Sequence, residues 1–334
     1  MMRITPAIWP DGAVTSRRIG KPMDVILHLG AHRCATTSFQ NYLRQNSDGL
    51  LAQGVGFWGP RRIRNGLFRG ILPGPGAARG RDLHRRGVGR VRMHLTRSAG
   101  LGLGSLLVSD ENMLGGMRGN LAMADLYCGT GERMARYGEA FDGQISTVAL
   151  NIRSLDSYWT SVLGYGLTRG RGMPEPALLR RLATSQRSWR DVITDLACAL
   201  PDAQIWALPF ETFAGRPEAQ LGAIAPIKAP RTHARDWLNP TPRLPQLRDL
   251  AGVLGEDWPL PLGDGRWQPF TPAEAAMMRE AYADDLMWLT GGADGLARLM
   301  PDPDKKQAGK SPPKTDMIRG RIDDQQERRV ARAR

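Results

Sequence analysis

The sequence predicts an α/β fold with a mainly parallel central sheet flanked by helices. Three observations predict it. Short, continuous apolar runs recur at residues 24–29, 105–109, 145–152 and 203–208, each bounded by turn or charged residues, as buried strands are. Segments with helical spacing lie between these runs, and strands alternating with helices favour a parallel sheet. The first run also passes directly into a loop of small residues and then into a helix. That local geometry presents backbone N–H groups to an anion.

Taken in order, residues 24–29 (DVILHL) lie between Lys21-Pro22 and Gly30 and read as a buried strand. Residues 37–45 contain no breaker and place Phe39 and Leu43 four apart, which suits a helix that Asn46, Ser47 and Gly49 end. Residues 54–60 (GVGFWGP) read as a turn-rich connection, 61–80 as loop, and 82–99 as a basic helix. The second strand, 105–109 (SLLVS), leads into Asp110-Glu111-Asn112, and the third is 145–152 (ISTVALNI). Leu155, Trp159 and Val162 share one face of a helix over 155–165. A helix over 189–200 and a fourth strand over 203–208 follow, the latter ending at Pro209-Phe210-Glu211. Thr271-Pro272-Ala273-Glu274 is a capping box with proline at the first helical position, and Gly291 is placed to close that helix.

A length of 334 residues suits one large α/β domain or two small ones. The reading here is a single domain over 23–299, after an irregular lead-in (1–22) and before a basic tail (300–334) whose polar composition predicts disorder. No apolar run approaches the roughly 18 residues of a membrane span, and the N-terminus lacks a secretory signal. Cys34, Cys128 and Cys198 are too few and too scattered for a disulfide framework or a zinc site. A reducing cytoplasm is the simplest compartment, with a peripheral place at the inner membrane left open by the charge pattern. The formal charge is +13, and much of it is local: eleven arginines face one acid, Asp82, between Arg61 and Arg97. That stretch carries a single aromatic, Phe68, so there is little to stack on bases and no nucleic-acid partner is expected. An anionic acceptor, or one at a membrane surface, fits the charge better.

The central feature is His28-Leu29-Gly30-Ala31-His32-Arg33-Cys34-Ala35-Thr36-Thr37-Ser38. Successive N–H groups and a helix N-terminus, with about half a positive charge, suit a phosphate or sulfate. Thr36, Thr37 and Ser38 add hydroxyls, and Arg33 adds a guanidinium. The NTPase P-loop has a glycine, four free positions, Gly-Lys and then Ser or Thr. Gly30 and Thr37 match its ends, but Ala35 replaces the second glycine and Thr36 stands where the lysine belongs. The cation sits three places upstream, at Arg33. A triphosphate substrate is thereby disfavoured, and a shorter anionic donor fits better.

This segment resembles the 5′-phosphosulfate loop of the P-loop sulfotransferase family. It is most similar to bacterial sulfotransferase-like proteins. Their pattern is His, Ile or Leu, Gly, two free positions, Lys, one free position, then Gly-Thr-Thr-Ser. Arg33 stands for the lysine here and Ala35 for the glycine. The resemblance implies a three-layer P-loop sulfotransferase-like fold. It also implies 3′-phosphoadenosine-5′-phosphosulfate as donor co-substrate and no metal. Gly30, Ala31, Arg33, Cys34, Ala35, Thr36, Thr37 and Ser38 would form the 5′ site. Arginine keeps the charge but is a poor proton donor, and alanine in a left-handed conformation costs on the order of 1 kcal/mol.

The family also carries an arginine at the end of a later strand and a serine eight positions on, both on the donor's 3′-phosphate. Arg153 follows the third strand, and Ser161 lies eight residues further inside the predicted helix. The likeness extends over about residues 22–292. It implies a transferase that moves a sulfonate to a hydroxyl or amine of a glycan, lipid or small metabolite. A P-loop nucleotide-binding protein with little or no transfer activity is the alternative, and a basic nucleic-acid-binding protein the second. The acceptor's base should stand at a neighbouring strand end. Glu111, in the segment after the second strand, is the first candidate. His32 is the rival, and Arg33 completes the catalytic set.

Overall fold

A computed structural model describes residues 23–73 and 80–304, with the side chains of Gly80 and Arg81 left aside. The lead-in over 1–22, most of the tail (305–334) and residues 74–79 of the basic stretch lie outside the described residues. The chain divides into two units at Met300/Pro301, and the elements below all belong to the first.

Strand β1 (Asp24–His28) runs through the loop into α1 (Thr36–Gln45), followed by α2 (Ser47–Ala52) and β2 (Val55–Trp58). Helix α3 (Pro60–Arg62) and an irregular turn lead to α4 (Gly80–Gly100) and β3 (Ser105–Ser109). Helices α5 (Met117–Met123) and α6 (Thr130–Ala140) precede β4 (Ile145–Ile152). Then come α7 (Leu155–Leu167), α8 (Pro176–Ala183), α9 (Trp189–Ala199) and β5 (Gln204–Pro209). The last elements are α10 (Phe210–Phe213), α11 (Pro217–Ile224), α12 (Leu244–Leu254), α13 (Pro272–Thr290) and β6 (Arg298–Leu299).

The six strands form one sheet in the order β2-β3-β1-β4-β5-β6, and every neighbouring pair is parallel. Both faces are covered, which is why the strands read as unbroken apolar runs. Val25, Leu27, Leu106, Val108, Val148 and Leu150 face one core, which α4, α6, α7, α9 and α13 complete. Ile26, Leu107, Ala149 and Leu208 face the other, beneath Phe39, Tyr42 and Leu43 of α1 and Leu221 of α11. The result is a three-layer α/β arrangement. Among the described residues no helix is long and apolar enough to cross a membrane.

Three sequence readings are corrected. Residues 54–60 are not only a turn: Val55–Trp58 is the edge strand β2. Gly56 fits there because a Cβ would meet Leu103 at 2.5 Å. Residues 61–80 are not uniformly loop, since α3 and a wide helical turn occupy Pro60–Leu67. Asn46 does end α1, but Ser47 and Gly49 start a further short helix rather than a coil. The capping box at Thr271 and Glu274 forms as the sequence predicts, whereas Gly291 closes α13 in a right-handed conformation and the left-handed turn falls on Gly292.

The strand order places β1 at the centre. The chain leaves it for the edge at β2, returns beside it with β3, and crosses to its other side with β4. In open α/β sheets ligands bind outside the carboxyl ends of the strands where the order reverses. Here those ends are His28, Ser109 and Ile152.

Candidate active site

The floor of the site is a polar knot around His28. Its Nδ1 lies 2.7 Å from Ser109 Oγ on β3, and its Nε2 lies 2.8 Å from both Asn151 Oδ1 on β4 and Gln220 Nε2 on α11. His28 is fully buried. Burial lowers its pKa from 6.5 to about 4, against the raising effect of Asn151. Between pH 6.5 and 4 the unfolded chain takes up a proton that the folded chain refuses, so stability falls as pH falls. We expect a loss of about 3 kcal/mol from this group by pH 4. Urea titrations at pH 7 and pH 4 check it, and His28→Gln should flatten this part of the pH dependence.

Above the floor the loop turns tightly. Gly30 has φ 38°, and a Cβ there would lie 2.6 Å from His28 Cε1 and 2.8 Å from Thr36 Oγ1. Arg33 and Ala35 are both left-handed, at φ 64° and 61°. Ala35 is the N-cap of α1 and offers no side-chain acceptor. Among the described residues nothing accepts from the N–H groups of Thr36, Thr37 and Ser38. These unsatisfied donors, with the helix dipole behind them, make an edge whose chemistry suits an anion.

The predicted hydroxyls divide in role. Thr36 Oγ1 donates to the Gly30 and Ala31 carbonyls at 2.9 and 3.1 Å and so shapes the loop. Ser38 Oγ accepts from Leu238 N–H at 2.9 Å and holds a covering segment. Only Thr37 is exposed. The Ala31 and Cys34 side chains are buried in the core, and burial pushes the Cys34 thiol up to about 12, so Cys34 is no nucleophile.

The two arginines predicted to serve opposite ends of a donor stand together. Arg33 Nε donates to Ser161 Oγ at 3.0 Å, and its guanidinium lies 4.7 Å above the Tyr165 ring. Arg153 donates to the Arg33 carbonyl at 2.8 Å and stacks on Phe210 at 4.1 Å. Its position is fixed from behind, because Trp189 Nε1 donates to its carbonyl at 2.7 Å. Arg153 Nε is buried with no partner. Among the described residues neither arginine makes an ion pair with a carboxylate. Burial lowers both pKa values, and the charge of Arg153 lowers that of Arg33 further. Both remain cations at neutral pH, and with Arg243 and Arg266 against Glu111 the cavity lining is net positive.

These groups line a cavity of about 340 Å³ that Ala35, Thr36, Thr37, His32 and Glu111 also reach. Its size is that of a small-molecule site. The segment from Trp237 to Thr241 covers it. Asn239 contributes only a carbonyl, which accepts from Arg33 at 3.1 Å, and Thr241 a hydroxyl 2.6 Å from Ser161 Oγ. Neither function leaves a sequence signature. Arg243 and Arg266 add further charge to the rim. Tyr165 stands four residues after Ser161 on α7, so helical spacing could have found it. No family model matches this chain, and no curated protein matches it.

The base candidates are both at the cavity. Glu111 Oε2 accepts from Gln40 at 2.9 Å, and Oε1 from Arg64 at 3.0 Å. Burial opposes its charge, but His32, the Gln40 bond, its own N–H and Arg64 together hold its pKa below the ordinary value. Arg64 also forks onto Asp110 at 2.7 and 3.1 Å. Arg62 stacks on Trp58 at 4.7 Å. Both side chains are exposed yet held by these contacts.

His32 is buried, and burial lowers its pKa, so it is neutral at pH 7. Tyr127 Oη accepts from His32 N–H at 2.9 Å and from Tyr158 at 3.2 Å. His32 Nδ1 lies 2.9 Å from the same hydroxyl. Its Nε2 lies 3.2 Å from the Asn112 amide, which, turned over, donates to that nitrogen and accepts from Arg64 at 3.0 and 3.2 Å, so that both ends of the amide are satisfied. His32 in this network has no free nitrogen lone pair, whereas Glu111 is a carboxylate ready to accept.

Proposed function

We propose that the chain is a sulfotransferase that moves a sulfonate from 3′-phosphoadenosine-5′-phosphosulfate to a hydroxyl or amine. One observation carries the reading. Arg33 and Arg153, unpaired and partly or fully buried, meet the uncapped N-terminus of α1 in a cavity at the sheet's switch point. Isolated buried cations are costly unless a partner arrives. A dianionic phosphate matches the fork geometry of arginine, and a donor charged at both ends can engage both residues. Trp237, half exposed at the same cavity, offers a face on which a base can stack.

In the reaction the acceptor oxygen or nitrogen forms a bond to sulfur as the bond from sulfur to the bridging phosphate oxygen breaks. Glu111 accepts the acceptor's proton, and adenosine 3′,5′-bisphosphate leaves with the electron pair. The α1 N–H groups and Arg33 stabilise the charge that develops on the leaving phosphate. Arginine does so as a clamp rather than as a proton donor.

Adenosine 3′,5′-bisphosphate at about a hundred times its Kd should add about 2.7 kcal/mol of stability. For a domain of this size that is roughly 5 °C or more in thermal melting. ATP with magnesium should give much less. Equal shifts from the two ligands would count against a site built for a 3′-phosphate. A strong bisphosphate shift without transfer to any hydroxyl or amine in a broad panel would favour a nucleotide-binding protein that lacks the transfer step.

A further inference from the structure

Helix α4 carries most of the basic stretch, and its two sides differ. Val88, Val91, Leu95 and Ser98 are buried toward the core. On the other side Leu83, Arg86, Arg90, Met93 and Arg97 recur at spacings of three and four, so they stand in one row. Leu101, one residue past the helix, continues the spacing. Leu83, Met93 and Leu101 are 47%, 46% and 74% exposed, which is far from a core position. Arg86 and Arg97 have no carboxylate partner among the described residues. The carboxylates nearby serve other arginines: Asp82 faces Arg85 at 3.9 Å and Asp142 pairs with Arg92 at 2.8 Å. Arg90 is tied to the Leu67 carbonyl at 3.0 Å, and Arg62 closes on His94 at 3.1 Å. The charges of Arg62, Arg97 and Arg90 all bear on His94, after burial, in lowering its pKa, so these groups form one basic cluster.

We propose that this row of α4 docks the protein on an anionic lipid bilayer. Arginines alone would suit any polyanion. The interleaved leucine and methionine side chains decide between partners, because a dissolved polyanion offers them no apolar phase. A bilayer interface takes both: arginines meet anionic headgroups while the apolar side chains enter the headgroup boundary. The row carries no aromatic residue on which nucleic-acid bases could stack. At about 1.5 Å per residue a helix of 21 residues is roughly 30 Å long, enough to lie along a surface as an extended contact.

The test uses the full chain with vesicles of phosphatidylcholine containing phosphatidylglycerol and with pure phosphatidylcholine vesicles, read by co-sedimentation. The wild type should bind the anionic vesicles and not the neutral ones. Arg86→Gln with Arg97→Gln should weaken that binding roughly 30-fold. Leu83→Ser, Met93→Ser and Leu101→Ser together should weaken it about 10-fold or more, with retention on immobilised heparin unchanged. All five sites are on the surface, so thermal melting should not move, and the bisphosphate shift should persist in every variant. Full vesicle binding by the triple serine variant would overturn the proposal in favour of a dissolved polyanion. No binding to anionic vesicles would overturn it outright. Neither result touches the sulfotransferase reading, since no donor is present.

Discussion

Arg153→Met should weaken adenosine 3′,5′-bisphosphate by about two orders of magnitude while adenosine 5′-monophosphate loses roughly tenfold or less. Each charge-assisted bond to a buried phosphate contributes about 1.5–3 kcal/mol, and a forked pair at the lower figure already gives about a hundredfold. Methionine keeps the stacking bulk on Phe210 and removes the donors. The smaller loss for the monophosphate has a structural source, because Arg153 also donates to the Arg33 carbonyl and so helps to shape the loop. Arg153→Lys should recover only part of the affinity, since an ammonium cannot fork. Titration calorimetry of the wild type and the two variants with both nucleotides measures this. Equal losses for the two ligands would mean that Arg153 acts only through the loop.

Glu111→Gln should lower kcat by about a hundredfold to ten-thousandfold, the range of a positioned general base, with bisphosphate affinity unchanged or tighter. The amide keeps the shape and can still meet Arg64 through its oxygen, so a lost fold is not the expected cause. Because the Glu111 pKa lies below its ordinary value, the carboxylate form persists across neutral pH, and the acid limb of kcat/KM should fall below about pH 4.3. His32→Asn should cost far less, since both ring nitrogens of His32 are already engaged, by Tyr127 and by Asn112. Turnover is followed on the fastest acceptor of a hydroxyl and amine panel. A Glu111→Gln enzyme with near-normal turnover would move the base elsewhere.

The strands were legible because both faces of the sheet are covered, so Val25, Ile26 and Leu27 need no polar alternation. Strand β2 was hidden by its four residues and by glycines at 54, 56 and 59, which read as turns. The cradle and the Arg153–Ser161 spacing were visible as local patterns. Their direct contact was not, because it joins residues 128 apart in the chain. Tyr127 was missed for the same reason: it reaches His32 across 95 residues and supplies one hydroxyl that no motif announces. The covering segment acts largely through the Asn239 carbonyl, and a carbonyl belongs to every residue.

Arg33 and Ala35, the two departures from the familiar loop pattern, are both held left-handed. Each costs on the order of 1 kcal/mol where glycine would cost nothing. Only Ala35 stands where the pattern has glycine, and alanine at a positive φ loses more than the narrower unfolded ensemble returns. The loop therefore stores strain that its surroundings must hold: Thr36 on the Gly30 and Ala31 carbonyls, and Arg153 on the carbonyl of Arg33 itself.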